Sequence, residues 1–98
     1  MVTATVSNTP VSIQLSVGES TTVPTGEVWK VTVAMSGTTD NEYCWLKVNG
    51  EKVVQIKDAN GGGGAKCFDM VFVGGDTIAW GEKYEDHSGC NISGFKVN

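Results

Sequence analysis

VGESTTVPTGEVWKVTVAM, residues 17–35, is the stretch whose reading decides the fold. It opens on a Gly18-Glu19-Ser20 turn and crosses a short Thr/Val strand. It then turns through Pro24-Thr25-Gly26 and enters the run VWKVTVAM. Proline presets the backbone angle wanted at the second position of a tight turn, and glycine accepts the positive angle such a turn needs. The run that follows is rich in β-branched residues and carries one tryptophan, which suits a pleated, half-buried surface. Period two places Trp29, Val31, Val33 and Met35 on one face, opposite Lys30, Thr32 and Ala34. The stretch is a corner between two strands.

The same alternation extends outward from that corner. Upstream, Val11, Ile13, Leu15 and Val17 alternate with Ser12, Gln14 and Ser16, the pattern of a strand with one wet face. Residues 1–10 form a lead-in, within which Thr3 to Val6 can make a short edge strand. Downstream, a polar loop at residues 36–41 leads to a strand over residues 43–48 and a return strand over 51–57. Asn49-Gly50 lies between them, and both residues tolerate the positive angles of a type I′ hairpin turn. After the glycine-rich segment DANGGGGA (58–65), residues 67–73 form a strand with Phe68, Met70 and Phe72 on one face. Gly74-Gly75-Asp76 turns it into a strand over 77–80, and FVGGDTIAW echoes LSVGESTTV as reuse of one turn type. A polar loop at 81–89 precedes the closing strand, residues 90–97, with Ile92 and Phe95 inward past a break at Gly94. About eight short strands, turn signals every 8–12 residues or so and no helical period predict a jelly-roll-like, two-sheet antiparallel β-sandwich. Residues 11–98 form its single domain.

Composition narrows the function. Ninety-eight residues suffice for one core, and 40% hydrophobic with 18% charged residues belongs to a folded chain. A net charge of -4 repels phosphate backbones and anionic lipids, and the seven Lys and Arg residues form no basic run. Nucleic acid is therefore not an expected partner. No apolar stretch approaches the roughly 20 residues that span a bilayer, so no membrane insertion is expected. The N-terminus lacks the basic and apolar regions of a secretory signal, which leads us to expect a soluble chain made in the cytoplasm. Cys44, Cys67 and Cys90 are an odd number, so at least one thiol lies outside any intrachain disulfide. Half-buried thiols in a reducing compartment are the expected state.

Motifs for chemistry are incomplete. The glycine run lacks the Lys-Ser/Thr and the following helix of a phosphate loop, since Gly64 leads into Ala65-Lys66-Cys67 and a strand. Cys44, Cys67, His87 and Cys90 supply one short-spaced His-x-x-Cys pair, half of what a structural zinc site brings together. Asp58 with Asn60, or Asp40, Asn41 and Glu42, offer clustered oxygens for calcium without the loop that would organise them. Asp86-His87-Ser88 contains hydrolase residue types, but adjacency defeats triad geometry. Glu82, Glu85 and Asp86 would serve glycoside cleavage only across a cleft that so small a sandwich hardly has room for. Asn91-Ile92-Ser93 is a glycosylation sequon that matters only in a secretory compartment. The expectation is a protein without catalytic residues, cofactor or metal.

The aromatic residues carry the surface question. Trp29, Trp45, Trp80, Tyr43 and Tyr84 belong either to the core or to a platform for sugar or protein. On the strand 43–48, Tyr43 and Trp45 lie opposite Cys44, Leu46 and Val48, so both faces are apolar. One packs the core and the other meets a partner subunit or the chain's own loops. Tyr43, Trp45 and Trp80 are the expected subunit or partner contacts, and Tyr84 and His87 the expected ligand contacts.

VPTGEVWKV (23–31), VNG (48–50), GGDTI (74–78) and ISGFKV (92–97) occur in an order that resembles small β-sandwich domains of tailed-bacteriophage virion proteins. These are the heads at the tips of tail fibres and the related capsid decoration domains. The similarity runs from Val11 onward, although this chain has no fibre shaft. It implies a non-enzymatic homotrimer in the virion, without cofactor, acting as a capsid decoration (cement) or head-appendage protein beside the major capsid protein. A receptor-binding fibre tip touching a host-surface glycan is its alternative. A free carbohydrate-binding module, stacking Trp80 and Tyr84 on a sugar, is the rival from another class.

Overall fold

The computed structural model describes residues 9–36, 43–57, 65–81 and 89–97. These residues form eight strands: β1 (Thr9–Ser16), β2 (Ser20–Thr22), β3 (Val28–Ser36), β4 (Tyr43–Val48), β5 (Glu51–Lys57), β6 (Ala65–Val73), β7 (Thr77–Trp80) and β8 (Gly89–Val97). They build two four-stranded antiparallel sheets, in the orders β1-β8-β3-β6 and β2-β7-β4-β5. Successive strands alternate between the sheets except at the β4–β5 hairpin, which gives the jelly-roll order of a β-sandwich. The five other pairs, β1–β8, β3–β8, β3–β6, β2–β7 and β4–β7, join strands distant in sequence, and the core seals between the two sheets.

Period two decides what enters that core. In β3, Trp29, Val31, Val33 and Met35 are buried while Lys30 and Ala34 are exposed. Val11 and Leu15 of β1 join them, with Ile13 packed at the margin. Cys44 and Leu46 of β4, Ile56 of β5, and Ile78 and Trp80 of β7 meet them from the second sheet. Burying one such side chain contributes on the order of 1.5–3 kcal/mol, so this layer is the main source of stability.

The turns carry out what the sequence specifies. Asn49 and Gly50 have φ of 54° and 83°, the left-handed pair of a type I′ hairpin. Glu19 and Asp76 close their turns in the same way. The Glu19 N–H donates to the Ser16 carbonyl at 3.0 Å while its Oε1 accepts the Ser16 N–H at 2.6 Å. The Asp76 N–H donates to the Val73 carbonyl at 3.0 Å while its Oδ2 accepts the Val73 N–H at 2.9 Å. The echo between the two segments is therefore one turn used twice.

Four details differ from the sequence reading. β1 starts at Thr9, so Thr9 and Pro10 belong to the sheet and not to a lead-in; Thr3 to Val6 lie outside the described residues. β8 has no break at Gly94: its register with β1 and β3 runs through unshifted. Unbroken alternation from buried Ile92 then turns Phe95 outward, where it is 50% exposed. Gly94 is required for another reason, since a Cβ there would meet the Lys30 carbonyl and lie 2.7 Å from the Val31 Cα. Val53 is the extra residue where the β4–β5 register shifts after Leu46, and it is exposed.

Candidate functional site

The aromatic residues singled out from sequence divide. Trp80 is 0% exposed and lies in the core, so it is no surface contact. Its N–H donates to the Glu19 carbonyl at 3.1 Å and its carbonyl accepts the Gly18 N–H at 2.9 Å, which fastens β7 to the β1–β2 turn. Trp29 is also buried, its Nε1 donating to Glu27 Oε1 at 2.9 Å. Trp45 is half-buried on the outer face of β4, with Lys52 Nζ 4.9 Å from the ring centroid. The backbone of Tyr43 begins β4, and its side chain lies outside the described residues. Tyr84 and His87 lie outside them too, as do Asp40, Asn41, Glu42, Asp58, Asn60, Glu82, Glu85, Asp86 and Ser88.

A different surface stands out: the outer face of β1-β8-β3-β6. Its register forms rows across the strands. Pro10, Phe95, Lys30 and Val71 make one row, and Val97, Val28 and Val73 make the next toward the tight-turn end. Phe95, Val71 and Val73 are 50%, 60% and 49% exposed, with Lys30 between Phe95 and Val71. The following row is polar, Ser12, Ser93, Thr32 and Asp69, where the Thr32 Oγ1 donates to Asp69 Oδ1 at 2.8 Å. Phe95, Lys30, Val71 and this pair border a shallow depression of about 520 Å³. A second, of about 320 Å³, lies beside it over Ala34, Cys67 and Asn91. This surface can seat apolar side chains around a single ammonium group. It brings together no nucleophile with a base and orienting acid.

Sequence reasoning missed this face because Phe95 was turned inward by the expected break. A signal was present nonetheless. Met70-Val71-Phe72-Val73 is apolar at four successive positions, so both faces of β6 are greasy although only one meets the core.

The ionisable groups are mainly structural. Glu27 accepts from Trp29 and is 3.4 Å from Lys96 Nζ; the Trp29 hydrogen bond, then Lys96, holds its carboxyl below the usual range against partial desolvation. Asn49 Nδ2 donates to Asp76 Oδ1 at 3.0 Å, and Asn49 Oδ1 accepts the Thr77 N–H at 2.9 Å, stitching the hairpin to the β6–β7 turn. The Asn49 bond and the Val73 N–H keep the Asp76 carboxyl low. Cys44 and Cys90 are buried in the core, whereas Cys67 is exposed on the outer face. Burial, reinforced by Cys44, pushes the Cys90 thiol up to about 12, which makes it inert as a nucleophile. Among the described residues no three His, Cys, Asp or Glu groups converge on a metal-sized site.

Fold and face together define a jelly-roll β-sandwich with an outward apolar patch on one sheet. The chain matches no family model, no curated protein and no solved structure.

Proposed function

We propose that this chain is a non-enzymatic surface protein of a tailed-bacteriophage virion. It assembles as a homotrimer and decorates or reinforces the capsid as a cement or head-appendage protein. The work is attachment: the outer face of β1-β8-β3-β6 packs against sister subunits or the major capsid protein. The observation that carries this reading is the clustering of Phe95, Val71 and Val73 on one sheet face. Each leaves about half its apolar surface in water, forfeiting on the order of 1 kcal/mol per side chain that a partner would recover. The order of turn motifs described above supports the phage assignment. The jelly roll is compatible with it, being shared by capsid and lectin domains, but a fold by itself does not specify function. Tyr43 and Trp45 remain candidate contacts on the second sheet, and Trp80 is withdrawn from that role.

A specific observation favours a receptor-binding fibre tip as the second reading. Ser16, Ser36, Ala65 and Gly89 share one row at one end of the first sheet, and Tyr43 pairs with Lys57 in the second. The polar segments 37–42, 58–64 and 82–88 are rooted at these strand ends, as a loop-borne receptor or glycan site requires. Immunogold labelling of virions with an antibody to this chain separates the readings. Label over the capsid supports decoration, label at the fibre ends supports the tip, and particles without label contradict both.

A further inference from the structure

The four sheet edges are protected unequally. β2 has only three residues, β1 carries Pro10, and β5 carries Glu51, Lys52 and Lys57 beside a register shift. β6 carries Lys66 and Asp69, the latter bonded to Thr32, but ends in the uncharged run Met70-Val71-Phe72-Val73, has no proline and no register shift, and among the described strands pairs with β3 alone. Sheets blunt exposed edges with short strands, charge, proline or bulges because bare N–H and C=O groups are a template for another strand.

Register tells which backbone groups face that edge. Asp76 takes both the N–H and the carbonyl of Val73, so Val73 and Val28 are a non-hydrogen-bonded pair. Antiparallel pairs alternate, hence Val71, Asp69 and Cys67 also turn their N–H and C=O groups away from β3. The far side of the sheet agrees. Pro10 has no N–H and opposes Phe95, which leaves Phe95 bonded to Lys30 and Lys30 turned from Val71. The side chains show the same gap. Phe68 opposes Val33 on the inner face, yet Val33 is 0% exposed and Phe68 43%. The inner layer stops one strand short of covering Phe68.

We propose that residues 2–6 of a second copy of this chain add to the open edge of β6 as a fifth strand. The inference rests on the reading that copies assemble, and it names the contact. Val2-Thr3-Ala4-Thr5-Val6 is uncharged and alternates apolar with Thr, so one face covers Phe68 and Met70 while the threonines lie beside Asp69 and Val71. Five residues of strand span roughly 17 Å, enough to follow Phe68 to Phe72. The segment precedes Thr9, which shares a row with Lys96, Trp29 and Phe72. It therefore departs from β1, the opposite edge of the same sheet. To reach its own β6 it would have to reverse and cross about 14 Å of strands, whereas a segment continuing straight from β1 meets the β6 edge of a neighbour displaced along the strands by about seven residues, on the order of 24 Å. With donor on one edge and acceptor on the other, the contact is head-to-tail and closes into a ring under a three-fold rotation.

Sedimentation velocity on three forms tests this: the full chain, a chain lacking residues 2–6, and Val71→Pro. The proline removes an N–H that no ladder bond to β3 uses. The full chain is expected to sediment as a trimer and each variant as a monomer. Their mixture is expected to give a 1:1 dimer, because one variant still donates the segment and the other still offers the edge. Phe68→Lys, at a side chain already part-exposed, blocks the same edge should the proline prevent folding, which near-UV circular dichroism reports. A trimer that survives these changes, or a mixture that stays monomeric, overturns strand addition and leaves assembly standing. A full chain that is itself monomeric overturns both.

Discussion

Trp80 shows how much one residue's setting changes its role. On a contact surface its removal would leave folding stability nearly unchanged; in the core it holds β7 against β4 and the first turn. Trp80→Ala is expected to lower unfolding free energy by about 3–5 kcal/mol, measured by urea titration. The cysteines divide by the same criterion. A thiol reagent such as Ellman's should titrate one group per native chain, Cys67, and all three cysteines only after unfolding. Asp76 gives an acid signature. Its carboxyl is held below the ordinary value of 3.8 by Asn49 and Val73, so the unfolded chain takes up the proton first as pH falls. The stabilisation is complete above the ordinary aspartate range and is lost as pH drops through the lowered native value. Asp76→Ala should therefore melt below the wild type at neutral pH, and the gap should close in strong acid, as followed by thermal melts across that range.

At the scale of the element, legibility followed the turns. The bounds of β4, β5 and β7 agree with those expected from sequence, because Asn49-Gly50 and Gly74-Gly75-Asp76 encode their reversals locally. The buried faces of β1 and β3 were legible for a similar reason: alternation needs no knowledge of neighbours. β8 was misread at Gly94 because a glycine within a strand has two causes that look alike in sequence, a break or a close backbone approach. Here the cause is the Lys30–Val31 backbone on β3, some sixty residues away in the chain. That misreading hid Phe95, and with it half of the candidate face. Gly94→Ala separates the causes: it is expected to cost about 1–3 kcal/mol by urea unfolding, where a loop-like break would tolerate alanine. Trp80 was illegible for want of a partner, since only the pairing of β7 with β2 and β4 reveals which face is enclosed.

For the whole molecule, the jelly roll distributes its surfaces by topology. One sheet face carries the apolar patch, one end gathers the strand ends that root the polar segments together with the Gly18-Glu19 turn, and the tight turns at 24–27, 49–50 and 74–76 occupy the other end. Nothing in the core depends on Phe95 or Val71, so changing them should affect association and spare folding. The double variant Val71→Ser/Phe95→Ser is expected to unfold within about 0.5–1 kcal/mol of the wild type. Light scattering of the wild type and this variant over a dilution series tests the attachment account most directly. The account expects three copies of the 10.4 kDa chain for the wild type and one for the variant. A wild type that weighs 10.4 kDa at every concentration, or a variant that still assembles, would contradict it.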